Sequence, residues 1–176
     1  MKRAIVSCTL LWIAAAGLAC AQSSPPAQAA VTVGGKKIAI DYSAPSVRGR
    51  KIFGAGGLLS GDPTYPAWRA GANLATTLRT DADLDIGGLR APKGEYSLYC
   101  WVKDPDNWEL IVNKQTGQTG LEYDAKRDVG RVKMTMSKPP KSIEVLKYTL
   151  SDQGGGKVRL QLEWENHIAS VGISVK

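Results

Sequence analysis

The chain has 176 residues, enough for one domain and too few for two of full size. It carries 23 Lys and Arg against 16 Asp and Glu, a formal charge of +7, with 43% hydrophobic residues, 19 Gly, 9 Pro and one His. That composition excludes collagen, coiled coil and a wholly disordered chain, and the single His excludes multi-histidine metal sites and calls for no cofactor.

Residues 1–21 read as an export signal. Lys2 and Arg3 form a basic start, Ala4 to Ala19 is mostly apolar, and Ala19-Cys20-Ala21 supplies small residues for cleavage. The apolar run is short of the ~20 residues a spanning helix needs, so the mature chain is expected to have no transmembrane helix. Cutting after Ala21 removes Lys2 and Arg3 and no acid, leaving 21 basic against 16 acidic residues, a net +5. Gly17-Leu18-Ala19-Cys20 offers a competing cut. It resembles a lipoprotein box, in which Cys20 would be lipidated, but Gly17 stands where that pattern prefers Leu, which puts plain cleavage ahead. Either cut takes the protein out of the cytoplasm, to the periplasm, the medium or a lipid anchor at Cys20. Residues 22–30 (QSSPPAQAA) lack apolar periodicity and read as a flexible leader, leaving 31–176 as the domain.

That domain reads as strands. Ile38, Ile40 and Tyr42 alternate with polar or small neighbours, and Leu78, Ala82, Leu84 and Ile86 do the same along Thr76 to Ile86. Tyr96, Leu98, Cys100 and Val102 share one face. Trp108, Leu110 and Val112 follow, then Val132, Met134 and Met136, then Val158, Leu160, Leu162 and Trp164, and lastly Ala169, Val171, Ile173 and Val175. Turn residues separate the runs at Gly87-Gly88, Pro92-Lys93-Gly94, Asp104-Pro105-Asp106-Asn107 and Gly154-Gly155-Gly156. A short turn near Pro66 to Leu74 is the best helical signal. The pattern predicts an all-β fold of eight or nine antiparallel strands, a sandwich (jelly-roll or immunoglobulin-like) or a partly closed barrel.

Most motifs have structural readings. Asp81-x-Asp83-x-Asp85 lacks the Gly and Glu of a calcium loop and reads as a solvated strand face. Neither Gly-rich stretch completes a phosphate cradle. Cys100 reads as a buried, inert thiol, and no intramolecular disulfide is available to it. His167 has no nucleophile elbow to serve and reads as structural. Trp68-Arg69-Ala70-Gly71-Ala72-Asn73 is more open: Trp and Arg together can clamp a carboxylate, phosphate or sugar, and Arg69 can equally be a buried structural cation.

These residues resemble a bacterial family catalogued as domain of unknown function 2911. The resemblance is carried by Tyr42-Ser43-Ala44-Pro45, Gly49-Arg50-Lys51-Ile52-Phe53-Gly54, the Trp68–Asn73 element and Pro92-Lys93-Gly94-Glu95-Tyr96-Ser97-Leu98. Trp108, Asn113-Lys114, Asp128, Arg131 and Leu162-Glu163-Trp164-Glu165-Asn166 also fit, so it spans about Ile38 to Ile173. It implies an exported or lipid-anchored protein and no particular activity.

Two functions follow as expectations. The first is a non-catalytic binding or envelope-associated module, with Arg50, Trp68, Arg69 and Asn73 as contact surface, Asp128 and Arg131 as further ligand-binding candidates, and a glycan, anionic lipid or envelope protein as partner. Export makes nucleic acid improbable. The alternative is a hydrolase or lyase of an envelope polymer that needs no histidine, with Arg69 stabilising negative charge and Asp128 acting as base.

Overall fold

The computed structural model describes residues 24–176, and the export signal and Cys20 lie outside them. Within these residues the alternation becomes two antiparallel sheets. The first runs in the order β1 (Pro26–Val33), β2 (Lys36–Ser43), β4 (Thr76–Thr80), β7 (Gly94–Asp104), β8 (Asn107–Asn113) and β9 (Asp128–Lys133), with β3 (Ala67–Trp68) also paired to β7. The second runs β11 (Ile143–Gly154), β12 (Lys157–Glu165), β13 (His167–Val175), β5 (Leu84–Ile86) and β6 (Leu89–Ala91), with β10 (Thr135–Ser137) on β13. The sheets do not join into a closed barrel, so the fold is an all-β sandwich. β3, β5, β6 and β10 are two or three residues long; of the longer strands, β1 and β11 lie outside the alternating runs and the rest overlap them.

The expected leader is shorter than its composition implied. Pro26 to Ala30 are already strand, paired residue for residue with Ser43 to Ala39, and only residues up to Pro25 precede it. Ala29 and Val33 point inward along an edge strand, and Ala is too weakly apolar to show a period. Pro26 opens that strand, where a missing N–H costs no interior ladder bond.

The run Thr76 to Ile86 is likewise two strands. The chain leaves the first sheet after Thr80 and enters the second at Leu84, and Thr80 Oγ1 holds the crossing by donating to Ala82 O at 2.8 Å. The three aspartates each fasten a turn: Asp81 accepts from Lys37 N, Asp83 from Lys93 N and Asp85 from Gly88 N. No cluster of metal-ligating side chains occurs among the described residues.

No helix forms at Pro66 to Leu74. Ala67 and Trp68 pair with Trp101 and Cys100, and Ala70 and Asn73 sit at φ +51° and +61°, which ends any right-handed turn. A short 3-10 turn lies earlier instead, at Leu58–Gly61.

Between the sheets the inward faces make one core, including Ile38, Leu78, Leu98, Cys100, Leu160 and Ile173. One end is filled by aromatic rings: Phe53 contacts Trp68, Trp108 and Trp164, while Trp68 stacks on Trp164 at 5.6 Å. The loop after β2 supplies Phe53 and reaches across this end, where Ile52 N donates to Glu165 Oε1 at 2.9 Å. A second, smaller cluster lies on the outer face of the first sheet. There Tyr99 and Ile111 are buried beneath Tyr123 of the segment following β8, so β7 is buried on both faces.

Candidate functional site

The Trp68–Asn73 element builds the fold at nearly every position. Trp68 is buried in the aromatic cluster and donates from Nε1 to Gly71 O. Ala70 O accepts from Thr76 Oγ1 at 3.0 Å and from the Tyr148 hydroxyl at 2.9 Å. A Cβ at Gly71 would meet Thr76 Oγ1 at 2.8 Å. Asn73 Nδ2 donates to Ser24 O and Ser43 Oγ, tying the start of the described chain to the end of β2. Arg50 is held in its loop by Val47 O and Ser46 O. Trp68, Asn73 and Arg50 are thus all engaged in bonds that hold the fold.

Arg69 is the exception. Its Nη1 stands 3.7 Å from Asp62 Oδ2, an ion pair too long for a good hydrogen bond, and its Nε is buried without an acceptor among the described residues. The pair borders a pocket of about 330 Å³ whose walls include Pro45, Leu58, Trp68, Leu121 and Trp164.

The structure does bring Asp128 and Arg131 together, on the outer face of the first sheet. A bulge between the pairs Val112–Gly130 and Asn113–Asp128 sets Asp128 beside Asn113. Asp128 Oδ1 accepts from Asn113 Nδ2 at 2.8 Å and Oδ2 from the Tyr123 hydroxyl at 2.7 Å. Arg131 Nη2 donates to the same hydroxyl at 3.0 Å, and its guanidinium lies 4.6 Å above the Trp101 ring. Burial, with Asp128 beside it, pushes the Tyr123 phenol up to about 12. Neighbouring Tyr99 is raised mainly by burial, against the opposing hydrogen bond that Gln118 Nε2 donates to its hydroxyl at 3.1 Å.

Beside that network lies an open groove of about 660 Å³. Trp101, Glu109 and Lys133 are directly paired across β7, β8 and β9, and Lys103, Asp104 and Asn107 continue the lining. Arg131 covers the Trp101 ring without forming part of the groove. Trp108 is fully buried in the groove wall, and its Nε1–H has no acceptor among the described residues. Two lysines face two carboxylates, so the lining offers donors and acceptors in balance.

Residues 24–173 match the profile of a family described as protein of unknown function, DUF2911. The chain belongs to DUF2911. No curated protein and no solved structure matches it. The DUF2911 region begins ahead of β1, well before the Ile38 at which the sequence resemblance starts, and takes in every element named here except the last residues of β13.

His167 sits at the aromatic end of this DUF2911 domain, stacked on Trp108 at 5.3 Å and edge-on to Phe53. Its Nδ1 lies 3.5 Å from Glu165 Oε2 without a hydrogen bond. Sequence reasoning missed Trp101, Lys103, Glu109 and Lys133. Their signal was present in the alternation, as the polar-side positions opposite Cys100, Leu110 and Val132. Only the register of three strands shows that they form one row.

Proposed function

We propose that this DUF2911 protein is a non-catalytic binding module of the cell envelope, with a glycan strand as the ligand of the Trp101 groove. The observation that carries this is the partly exposed Trp101 ring, which lines the groove with the Arg131 guanidinium over one of its faces. The face that Arg131 leaves uncovered would take the C–H side of a sugar ring. Lys103, Lys133, Asp104 and Glu109 supply both donors and acceptors, which suits hydroxyl groups better than a strongly charged ligand. The export signal read at residues 1–21 would bring the domain to such strands.

The test is calorimetric titration of the chain from Gln22 to Lys176 with peptide-free glycan strands prepared from peptidoglycan. Saturable binding that Trp101→Ala weakens about tenfold supports the reading. No binding by the parent protein, or equal binding by the variant, removes it. The alternative is the hydrolase or lyase in which Arg69 would stabilise negative charge and Asp128 would act as base. New reducing or unsaturated ends appearing during the incubation would favour it over binding alone.

A further inference from the structure

The exposed large hydrophobic side chains among the described residues are Leu58, Leu74, Leu121 and Val145. Scattered singly over a surface they would need no explanation. They are not scattered. Leu58 and Leu121 line the same 330 Å³ pocket, together with Pro45 and Ala72. Leu74 follows Asn73 and bridges to Thr119, two residues before Leu121. Val145 bridges to Ser46, which follows Pro45. All four therefore border one end of the sandwich.

The described chain also starts at that end. Ser24 O is held by Asn73 Nδ2, between Ala72 and Leu74. From residue 20 to Ser24 the backbone can span at most ~14 Å. An acyl group on Cys20 would thus hold this end close to the bilayer. Exposed basic residues adjoin it as well. The Arg50 and Lys51 charges rest over the backbone carbonyls of Ser46, Val47 and Ala55, which cannot neutralise them. The acids on the same end are Asp62, paired with Arg69, Glu144, which accepts from Arg48 N, and Glu122 beside Leu121. The local charge is close to balanced, so apolar insertion supplies most of the attraction and the net +5 of the mature chain adds to it at anionic headgroups.

We infer that the end bearing Leu58, Leu74, Leu121 and Val145 is a docking face for a lipid bilayer surface. The leucines enter the headgroup boundary. This inference is independent of the glycan reading.

Both sheets, the core and the ion pairs named above lie within residues 24–176, so the chain from Gln22 carries a complete fold. That chain is floated with phosphatidylcholine vesicles, with and without phosphatidylglycerol. The expected result is measurable partition that phosphatidylglycerol increases and that the combined change Leu58→Ser, Leu74→Ser, Leu121→Ser reduces at least ~10-fold. Leu74→Ser alone, at the most exposed of these positions, should reduce it about twofold to threefold, and covers the case in which the triple variant folds poorly. Equal partition of parent and variants overturns the inference, as does failure of the parent to float. A dimer in sedimentation equilibrium without vesicles, abolished by Leu74→Ser, would assign the face to a second copy and also overturn it.

Discussion

Arg69 lies across Gly120 so closely that a Cβ added to Gly120 would fall 1.8 Å from Arg69 Cδ and 2.8 Å from Arg69 Cβ. The first contact belongs to a movable side chain and the second does not. Gly120→Ala must therefore shift backbone, because Gly120 N also donates to Asn73 O and anchors the two segments to each other. Overpacking of this kind costs about 1–3 kcal/mol, a fall in thermal midpoint of roughly 2–12 °C for a domain of this size. Arg69→Ala should cost about 1–3 kcal/mol, below the ~3–5 kcal/mol of a fully buried pair, since the guanidinium is partly exposed and its bond to Asp62 is long. The double variant should be less destabilised than the sum, because removing Cδ relieves part of the clash. A Gly120→Ala midpoint equal to the parent's would contradict this packing.

The Asp128 network makes a sharper stability claim. Both carboxylate oxygens accept hydrogen bonds, so Asp128→Ala leaves the Tyr123 hydroxyl and one hydrogen of the Asn113 amide without their acceptor, while Asn113 Nδ2 keeps Asp124 O. Hydrogen bonds to a charged acceptor contribute about 1.5–3 kcal/mol each, and partial rehydration of a site at the protein surface offsets some of the loss. The expected cost is about 2–3 kcal/mol. Tyr123→Phe removes the donation to Asp128 and the weaker, exposed acceptance from Arg131, and should cost about 1–2 kcal/mol. Urea unfolding of the two variants measures the order, and a Tyr123→Phe penalty exceeding that of Asp128→Ala would refute the geometry.

Periodicity made the fold class and most of the core legible. The inward sets Leu98, Cys100 and Val102 on β7 and Val158, Leu160, Leu162 and Trp164 on β12 need only a two-residue repeat to be read. What periodicity hides is pairing. The bulge at Val129 and the three-strand row of Trp101, Glu109 and Lys133 depend on which strands become neighbours, which no local pattern encodes. The Trp68–Asn73 element shows the opposite limit. Its chemistry looked suited to a ligand, but burial spends Trp68 on packing and Asn73 on holding Ser24, which leaves Arg69 as the charged side chain of the element that borders a pocket.

Cys100 offers a test of core integrity. Complete burial, with no compensating partner, pushes its thiol up to about 12. Since the thiolate is the reactive form, the native protein should resist maleimide labelling at neutral pH and react only as fast as it unfolds. The labelling rate in graded urea, followed by mass spectrometry, checks this. Rapid labelling without denaturant would mean that β7 opens locally.

His167 sets a pH dependence. Burial against Phe53 and Trp108 lowers its imidazole below the usual value near 6.5, and this outweighs the opposite pull of Glu165 and Asp106. Between the depressed folded value and 6.5, the unfolded chain binds a proton that the folded chain does not. The stability this group contributes is therefore fully present above 6.5 and declines as pH falls below it. Asp83 and Asp104 are also depressed, by backbone hydrogen bonds from Lys93 and Asp106, but they release their contribution below the ordinary carboxylate range and leave this window clear. Thermal midpoints from about pH 7.5 to about pH 5 should fall for the parent. His167→Phe keeps a ring on Trp108 and removes the titrating group, so its midpoint should stay level across the same range. A parent curve as flat as the variant's would show that the imidazole is hydrated in the folded state.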